Sequence, residues 1–270
     1  LRSRLMAPVT DPKLISDRLD EVEWFISYQG ACEALRTVLF QCPDLERALA
    51  RLTLYRGGPR DLGGVKKAIQ SAHEIANILF DNASSWDPEL LTHYASSLMG
   101  HKELLGILSA SLSSELPLYA RAGGFIAEGF SDRLDRLRVA RDESRRLIRD
   151  LESRYRSETG LSILKIKHNN VLGYFVEVTA VQAAKVPQFF AHRQTLANSV
   201  RFTTTELAQL QETISSSAED ALALELELFQ MLVEKVCLTR SSLAEMAAVL
   251  AAMDVSVGFA RLARERNYVR

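Results

Sequence analysis

The spacing of apolar residues in this chain changes at Ile163-Leu164-Lys165-Ile166-Lys167-His168-Asn169-Asn170-Val171-Leu172-Gly173-Tyr174-Phe175-Val176-Glu177-Val178-Thr179. The two ends of this stretch, 163–167 and 173–179, are rich in β-branched and aromatic residues, which favour β-strands. The residues between them, His168, Asn169 and Asn170, supply turn chemistry. The stretch therefore predicts a β-hairpin, and a third run at 199–204 would complete a small antiparallel sheet.

Helical spacing flanks this stretch on both sides. Apolar positions alternate at intervals of three and four over 134–155 and again over 207–231, as in the seam of a coiled coil. Ser131 is expected to cap the first helix, which ends near 159–160, and the return helix is expected to start at 205–206. The two helices are predicted to pair antiparallel as an arm on the order of 40 Å long, at ~1.5 Å per residue.

The remainder of the chain also predicts helices. Only 13 Gly and 7 Pro occur in 270 residues, so few breaks interrupt long helices. Two stretches predict helix starts. A capping residue precedes proline in Thr10-Asp11-Pro12, and glycines separate one helix from the next in Gly57-Gly58-Pro59. The predicted fold is therefore mostly α: a helical bundle with a long antiparallel coiled-coil-like arm that carries a small antiparallel β module at its tip.

Charge is distributed unevenly along the chain. The formal net charge is only −1, which excludes a uniformly basic nucleic-acid binder. Residues 163–205, however, contain five Lys or Arg and one Glu, a net of about +4. Such a local surface suits DNA phosphates, because Lys and Arg displace condensed counterions without reading sequence. On charge alone, a merely solvated basic face is the other interpretation.

Cysteine and histidine usage predicts neither a disulfide framework nor a metal site. Cys32, Cys42 and Cys237 are an odd number without a Cys-x-x-Cys pair, which fits a reducing compartment such as the cytoplasm. The histidines lack metal-ligand spacing, and Ser215-Ser216-Ser217 lacks the glycines of a nucleophile elbow. The most apolar stretch near the C-terminus, 246–253, is shorter than the ~20 residues that a bilayer needs, so no membrane partner is predicted.

Several motifs follow one another along the chain: Gly123-Gly124-Phe125-Ile126-Ala127-Glu128-Gly129-Phe130, Thr159-Gly160-Leu161-Ser162-Ile163-Leu164-Lys165, Gly173-Tyr174-Phe175-Val176-Glu177-Val178, Arg193-Gln194-Thr195-Leu196 and Ala221-Leu222-Ala223-Leu224-Glu225. In these motifs and their order the chain resembles the bacterial MutS family of DNA mismatch-repair proteins over essentially its whole length. The resemblance is to the core and lever domain with the clamp domain inserted in it. It implies a core/lever part at 1–158, a β-rich clamp at 159–214 and a return part at 215–270.

The resemblance also implies a division of labour within a longer protein, of which this chain, lacking an initiator Met, is expected to be a fragment. The clamp would hold double-stranded DNA without sequence preference, and the lever helices would connect it to an ATPase domain elsewhere. No Gly-x-x-x-x-Gly-Lys-Ser/Thr loop occurs here, so neither cofactor nor catalysis is expected of the chain alone. ATP and Mg, mismatch-containing DNA, a homodimer and a MutL-type partner are expected of the full-length protein.

Transferred position by position, the clamp residues of the family fall on the predicted turn and on the segment 193–198. Relatives carry Lys at the position of Ala197, so the resemblance implies that this chain contacts DNA with one fewer positive charge. Lys165 and Lys167 are expected on one side of their strand. There they either contact DNA or are simply exposed to solvent. The candidate DNA-binding residues are Lys165, Lys167, His168, Asn169, Asn170, Arg193, Asn198 and Arg201.

Two other classes of function stay open at this point. The helical arm could dock a protein partner, with the β module only closing the hairpin and binding no DNA. A nuclease or an ATPase is a third class, against which the sequence lacks acidic metal clusters and a phosphate loop. The polar layer of Arg141, Ser144 and 215–217 also interrupts the apolar seam, which predicts local flexibility in the arm.

Overall fold

The computed structural model describes residues 1–82, 89–169 and 171–270. This part of the chain is mostly helical and carries one four-stranded antiparallel sheet, which confirms the predicted class. The chain divides into two compact units. Unit 1 comprises Leu1–Ala127 and Leu228–Arg270, and unit 2 comprises Glu128–Glu227.

Unit 1 is built from helices. In chain order they are α1 Arg2–Met6, α2 Pro12–Ser27, α3 Gln29–Gln41, α4 Leu45–Thr53, α5 Pro59–Asp81, α6 Glu89–Leu98, α7 Lys102–Ser111, the last turns of α9 Thr205–Leu238, and α10 Arg240–Arg266. Both helix starts predicted in this unit are confirmed. The Asp11 side chain accepts a hydrogen bond from the Lys13 amide at 2.9 Å ahead of α2, and α5 begins at the expected proline.

Helices α5 and α10 supply much of the core of unit 1. Along α5, Leu62, Val65, Ile69 and Ile75 are completely buried, at helical spacing. Helix α10 is long and apolar enough to cross a membrane by length and composition, over a longer stretch than the sequence pattern indicated. Its buried residues include Leu243, Met246, Leu250 and Met253, and α10 packs against α2, α3, α4 and α6 as a core helix does.

Unit 2 begins with helix α8, Asp132–Thr159, followed by the sheet and the first part of α9. The predicted ends of α8 are confirmed. Ser131 accepts a hydrogen bond from the Leu134 amide at 3.4 Å, and Gly160 closes the helix in the left-handed conformation with φ 66°. The return helix starts at Thr205, as predicted.

Two ion pairs join α8 to α9. Arg138, near the start of α8, pairs with Glu225, whereas Arg154, near its end, pairs with Glu206 at the start of α9. Because the order of the partners is reversed along the two helices, α8 and this part of α9 run antiparallel. Twelve buried residues of unit 2 form an apolar cluster with contributions from α8, the sheet and α9: Ile148, Leu151, Tyr155, Leu161, Leu164, Val176, Val178, Phe190, Val200, Phe202, Leu207 and Ile214.

The sheet contains β1 Lys165–Asn169, β2 Gly173–Thr179, β3 Ala191–Thr195 and β4 Ser199–Thr203, in the order β1-β2-β4-β3. The two predicted hairpin strands and the run at 199–204 are present. The prediction missed β3, because all five of its side chains are exposed and its sequence carries no apolar alternation. The first strand also begins two residues later than predicted and continues through His168 and Asn169, which the sequence analysis had assigned to the turn.

Candidate nucleic-acid interface

The two faces of the sheet differ in chemistry. Directly paired residues of antiparallel strands project to the same face. On one face, Val176 and its neighbours Val178, Val200 and Phe202 are buried in the apolar cluster of unit 2. The opposite face, called the polar face below, carries a row that crosses all four strands through successive pairs: Lys165, Glu177, Arg201 and Gln194.

Lys167 adds a further cation to the polar face. It lies two residues after Lys165 in β1 and pairs across the strands with Phe175. The lysine side chains at both positions project to one side of the strand, as the period of two predicted. Three of the predicted site residues, Lys165, Lys167 and Arg201, are therefore brought onto one face of the sheet.

Glu177 lies between two of these cations. Its Oε1 accepts a hydrogen bond from Lys167 Nζ at 2.6 Å, and its Oε2 accepts one from Arg201 Nε at 3.2 Å. The hydrogen bond from Lys167, and then that from Arg201, hold the pKa of the Glu177 carboxyl below its usual range, although partial burial acts in the opposite direction. The carboxylate is therefore ionised at neutral pH and offsets part of the positive charge of the face.

Arg201 is held from several sides. Besides its bond to Glu177, its Nη1 donates to Gln194 Oε1 at 2.9 Å. Its guanidinium carbon lies 4.5 Å from the centroid of the Phe175 ring, a cation–π contact that covers this buried ring. These contacts fix the orientation of Arg201, and they use donors that a free arginine would offer to phosphate.

Arg193 lies on the edge strand β3, where the pairing with β4 is irregular. The register passes from His192 directly to Gln194, which leaves Arg193 unpaired in a β-bulge. A bulge re-aims the side chain that it carries and interrupts an exposed edge. The Arg193 side chain is exposed. No sequence signal predicted this bulge.

Asn198 lies in the exposed turn between β3 and β4. Its carbonyl accepts a hydrogen bond from the Ala180 amide at 3.4 Å, which joins this turn to the end of β2. The neighbouring Ala197 is exposed as well. The turn is therefore anchored through its backbone and leaves the side chains at these two positions at the surface.

Two of the predicted turn residues, His168 and Asn169, lie elsewhere on the sheet. His168 belongs to β1 on the face opposite to Lys167, and its ring lies 4.7 Å from that of Tyr174. Asn169 is the last residue of β1, and its Oδ1 accepts hydrogen bonds from the amides of Val171 and Leu172, at 2.9 and 2.7 Å. Asn170 lies outside the described residues.

The predicted site residues therefore do not form one cluster. Asn169 pairs with Gly173 at one end of β2, whereas Thr179 at the other end pairs with Ser199, beside the Asn198 turn. At about 3.4 Å per residue these two ends are about 20 Å apart. The polar face with Lys165, Lys167 and Arg201 lies between them.

Side chains of the helices fasten the sheet within unit 2. Glu152 in α8 accepts a hydrogen bond from the Ile166 amide at 2.7 Å, and Gln211 in α9 accepts one from the Tyr174 amide at 2.9 Å. Arg156 in α8 donates to the Leu164 carbonyl at 2.7 Å. The sequence analysis missed these residues, because a polar residue on a helix carries no signal of the backbone group that it binds.

Fold and surface together define a mostly helical protein that carries a small antiparallel β module with cations on its open face. Residues 1–260 match the family described as MutS domain III, and the chain belongs to this family. It is also similar to the DNA mismatch repair protein MutS of Rhizobium meliloti (strain 1021), with 46% identity over 276 residues that cover 100% of this chain and 30% of that protein. The resemblance stated from the sequence motifs is thereby confirmed.

Proposed function

We propose that the β module of this chain holds duplex DNA by its phosphate backbone, without reading sequence. The observation that carries the proposal is the division of the sheet into a buried apolar face and an open face with Lys165, Lys167 and Arg201. Arg193 adds an exposed cation at the bulged edge. A surface of this kind favours the displacement of counterions from DNA, which gives binding that is strong at low salt and weak at high salt.

The remaining candidate residues extend this interface to both ends of the sheet. Asn198 at one end, and the predicted turn residues Asn169 and Asn170 at the other, would supply polar groups for phosphate oxygens. His168, the remaining predicted turn residue, would add its ring beside them from the opposite face of β1. Across an extent of about 20 Å such a surface passes several consecutive phosphates, because the charges of one strand are spaced about 3.4 Å apart along the duplex axis. Backbone binding along a duplex needs an extended surface of this kind and not a closed pocket.

The proposed organisation keeps the boundaries inferred from the sequence. Residues 159–214 are the clamp, and residues 1–158 and 215–270 are the core and lever parts. Helices α8 and α9 would pair as a coiled-coil-like arm that reports the state of the clamp to the rest of the protein. The antiparallel ion pairs of Arg138 with Glu225 and Arg154 with Glu206 support this pairing.

The chain spans 30% of the length of the relative that it matches, so the activity of a whole protein is likewise proposed. That protein would recognise mismatch-containing DNA in the cytoplasm, use ATP and Mg through a domain outside this chain, form a homodimer and act with a MutL-type partner. The chain itself would contribute DNA contact and mechanical coupling, without catalysis and without a membrane partner.

Charge reversal at the bulge tests the proposal. The chain would be titrated into a short fluorescein-labelled duplex, and binding would be followed by anisotropy over a series of salt concentrations. Arg193→Glu should weaken binding at least tenfold, since it removes one phosphate contact and adds a repulsion. Lys102→Glu, at an exposed position of α7, is the matched control and should have little effect. Equal affinities of the Arg193 variant and the unaltered chain would favour a protein-docking module instead.

A further inference from the structure

We infer that Glu177 competes with DNA for Lys167 and so limits the affinity of the polar face. The inference rests on the proposed function, and it adds a residue that tunes the same interface. Glu177 is the only acidic residue between positions 163 and 205. It lies in the middle of the row that crosses the sheet, between Lys165 of β1 and Arg201 of β4.

The two oxygens of Glu177 engage partners that differ in freedom. Arg201 is also bound to Gln194 and covers the Phe175 ring, so it remains in place whether or not Glu177 is charged. Lys167 reaches the carboxylate from a flexible side chain that is 50% exposed, whereas the Glu177 side chain is only 17% exposed. Of the two cations, Lys167 is therefore the one that can leave Glu177 and bind a phosphate at the open face.

The exchange is physically accessible because an ion pair with one half-exposed partner is weak. A phosphate that approaches Lys167 must share the ammonium with Glu177 or displace it, and in either arrangement the Glu177 carboxylate stays close to the phosphate. The carboxylate thus acts twice against binding, once by occupying the lysine and once by direct repulsion. Both effects disappear when the carboxylate is replaced by an amide.

A second role for Glu177 predicts the opposite sign. If the carboxylate mainly held Lys167 in the orientation that DNA requires, its removal would weaken binding. Glu177→Gln separates the two roles, because glutamine has nearly the same shape and can still accept a hydrogen bond from Arg201. The melting temperature of the variant, compared with that of the unaltered chain, reports whether the sheet remains folded.

The decisive measurement is the affinity of Glu177→Gln for the same labelled duplex over the same salt series. We expect binding about three- to tenfold tighter at low salt and a log–log salt slope steeper by about 0.9, as one more phosphate is neutralised. Glu212→Gln, at an exposed position of α9 in the same unit, removes the same charge away from the row and should have a smaller effect. Weaker binding by Glu177→Gln, or equal gains in both variants, would overturn the inference.

A double-mutant cycle locates the effect on Lys167. Lys167→Gln should weaken binding by a larger factor in the Glu177→Gln background, where the lysine is free to contact phosphate, than in the unaltered chain, and it should remove most of the gain. Additive effects of the two substitutions would overturn the inference. If Arg193→Glu weakens binding while Glu177→Gln does not strengthen it, only this inference fails; if neither the unaltered chain nor Glu177→Gln binds duplex, the proposed function fails with it.

Discussion

The Tyr155 hydroxyl near the end of α8 lies 2.7 Å from Oγ1 of Thr204, the residue that precedes α9. Both residues are buried. Thr204 Oγ1 also accepts a hydrogen bond from the Leu207 amide at 3.1 Å and so caps the return helix. One pair of side chains thus joins the end of the outgoing helix to the start of the return helix, at the base of the sheet.

Removing the hydroxyl should therefore destabilise unit 2 without changing its fold. We expect Tyr155→Phe to lower the free energy of unfolding by about 1 kcal/mol, because one buried hydrogen bond is lost while Thr204 keeps its backbone partner. Chemical denaturation followed by circular dichroism measures the change. Tyr268→Phe, at an exposed tyrosine, is the control and should be neutral. A Tyr155→Phe variant as stable as the unaltered chain would show that the bond contributes nothing.

In unit 1, Glu21 of α2 is a fully buried carboxyl group. Burial raises its pKa to about 7, and the nearby Ser256 hydroxyl and the charges of Arg4 and Arg18 offset only part of this effect. Tyr94 of α6 lies in the same electrostatic environment, and burial, with a smaller effect of Glu21, raises the pKa of the Tyr94 hydroxyl. Unit 1 therefore contains an acid whose charged form opposes folding.

The sign of the pH dependence follows from this pKa. The pKa of Glu21 is about 4.5 in the unfolded chain and about 7 in the folded chain. The folded chain therefore takes up the proton first, and the free energy of unfolding increases as the pH falls from 7 to 4.5. Above this window Glu21→Gln should raise the free energy of unfolding by up to about 3 kcal/mol, and below it the gain should vanish. Urea unfolding at both ends of the window, with Glu74→Gln at an exposed site as the control, checks this. A gain independent of pH would contradict the assignment to Glu21.

Gly173 at the start of β2 is constrained in two ways. Its φ is +68°, a backbone conformation that residues with a Cβ rarely adopt. A Cβ at this position would also collide with the Gln211 side chain. We expect Gly173→Ala to lower the free energy of unfolding by more than about 1 kcal/mol. Gly160 has nearly the same φ, +66°, but open space around its Cβ position, so Gly160→Ala measures backbone strain alone. Equal losses in the two variants would show that Gln211 yields without cost.

Helix boundaries could be predicted from the sequence because local chemistry sets them. Asp11 before proline and Ser131 before a charged helix satisfy free amides of the first turn, and Gly160 takes the left-handed conformation that ends a helix. The strands β1, β2 and β4 could be predicted because β-branched and aromatic residues are concentrated in them and favour strands. Strand β3 could not, since it lies at the edge with both faces exposed and pairs only through its backbone.

The candidate site was predictable in composition but not in arrangement. The alternation of side chains along a strand placed Lys165 and Lys167 on one face. The count of charged residues identified 163–205 as a basic segment. The order of the strands, however, depends on pairing between distant residues, so the separation of Asn169 from Asn198 by the length of β2 had no local signal. The same holds for Glu177, whose interaction with Arg201 depends on the pairing of β2 with β4.

The turn between β3 and β4 offers a test by gain of function. Ala197 is exposed beside Asn198, and no Lys or Arg occurs between Arg193 and Arg201. A lysine at this position would add one cation at the end of the proposed interface, so Ala197→Lys should tighten duplex binding about three- to tenfold at low salt and steepen the salt slope by about 0.9. Ala184→Lys adds the same charge at an exposed position between β2 and β3 and controls for net charge. The two variants would be compared by anisotropy over one salt series; an equal gain in both would mean that total charge matters and that this turn does not face DNA.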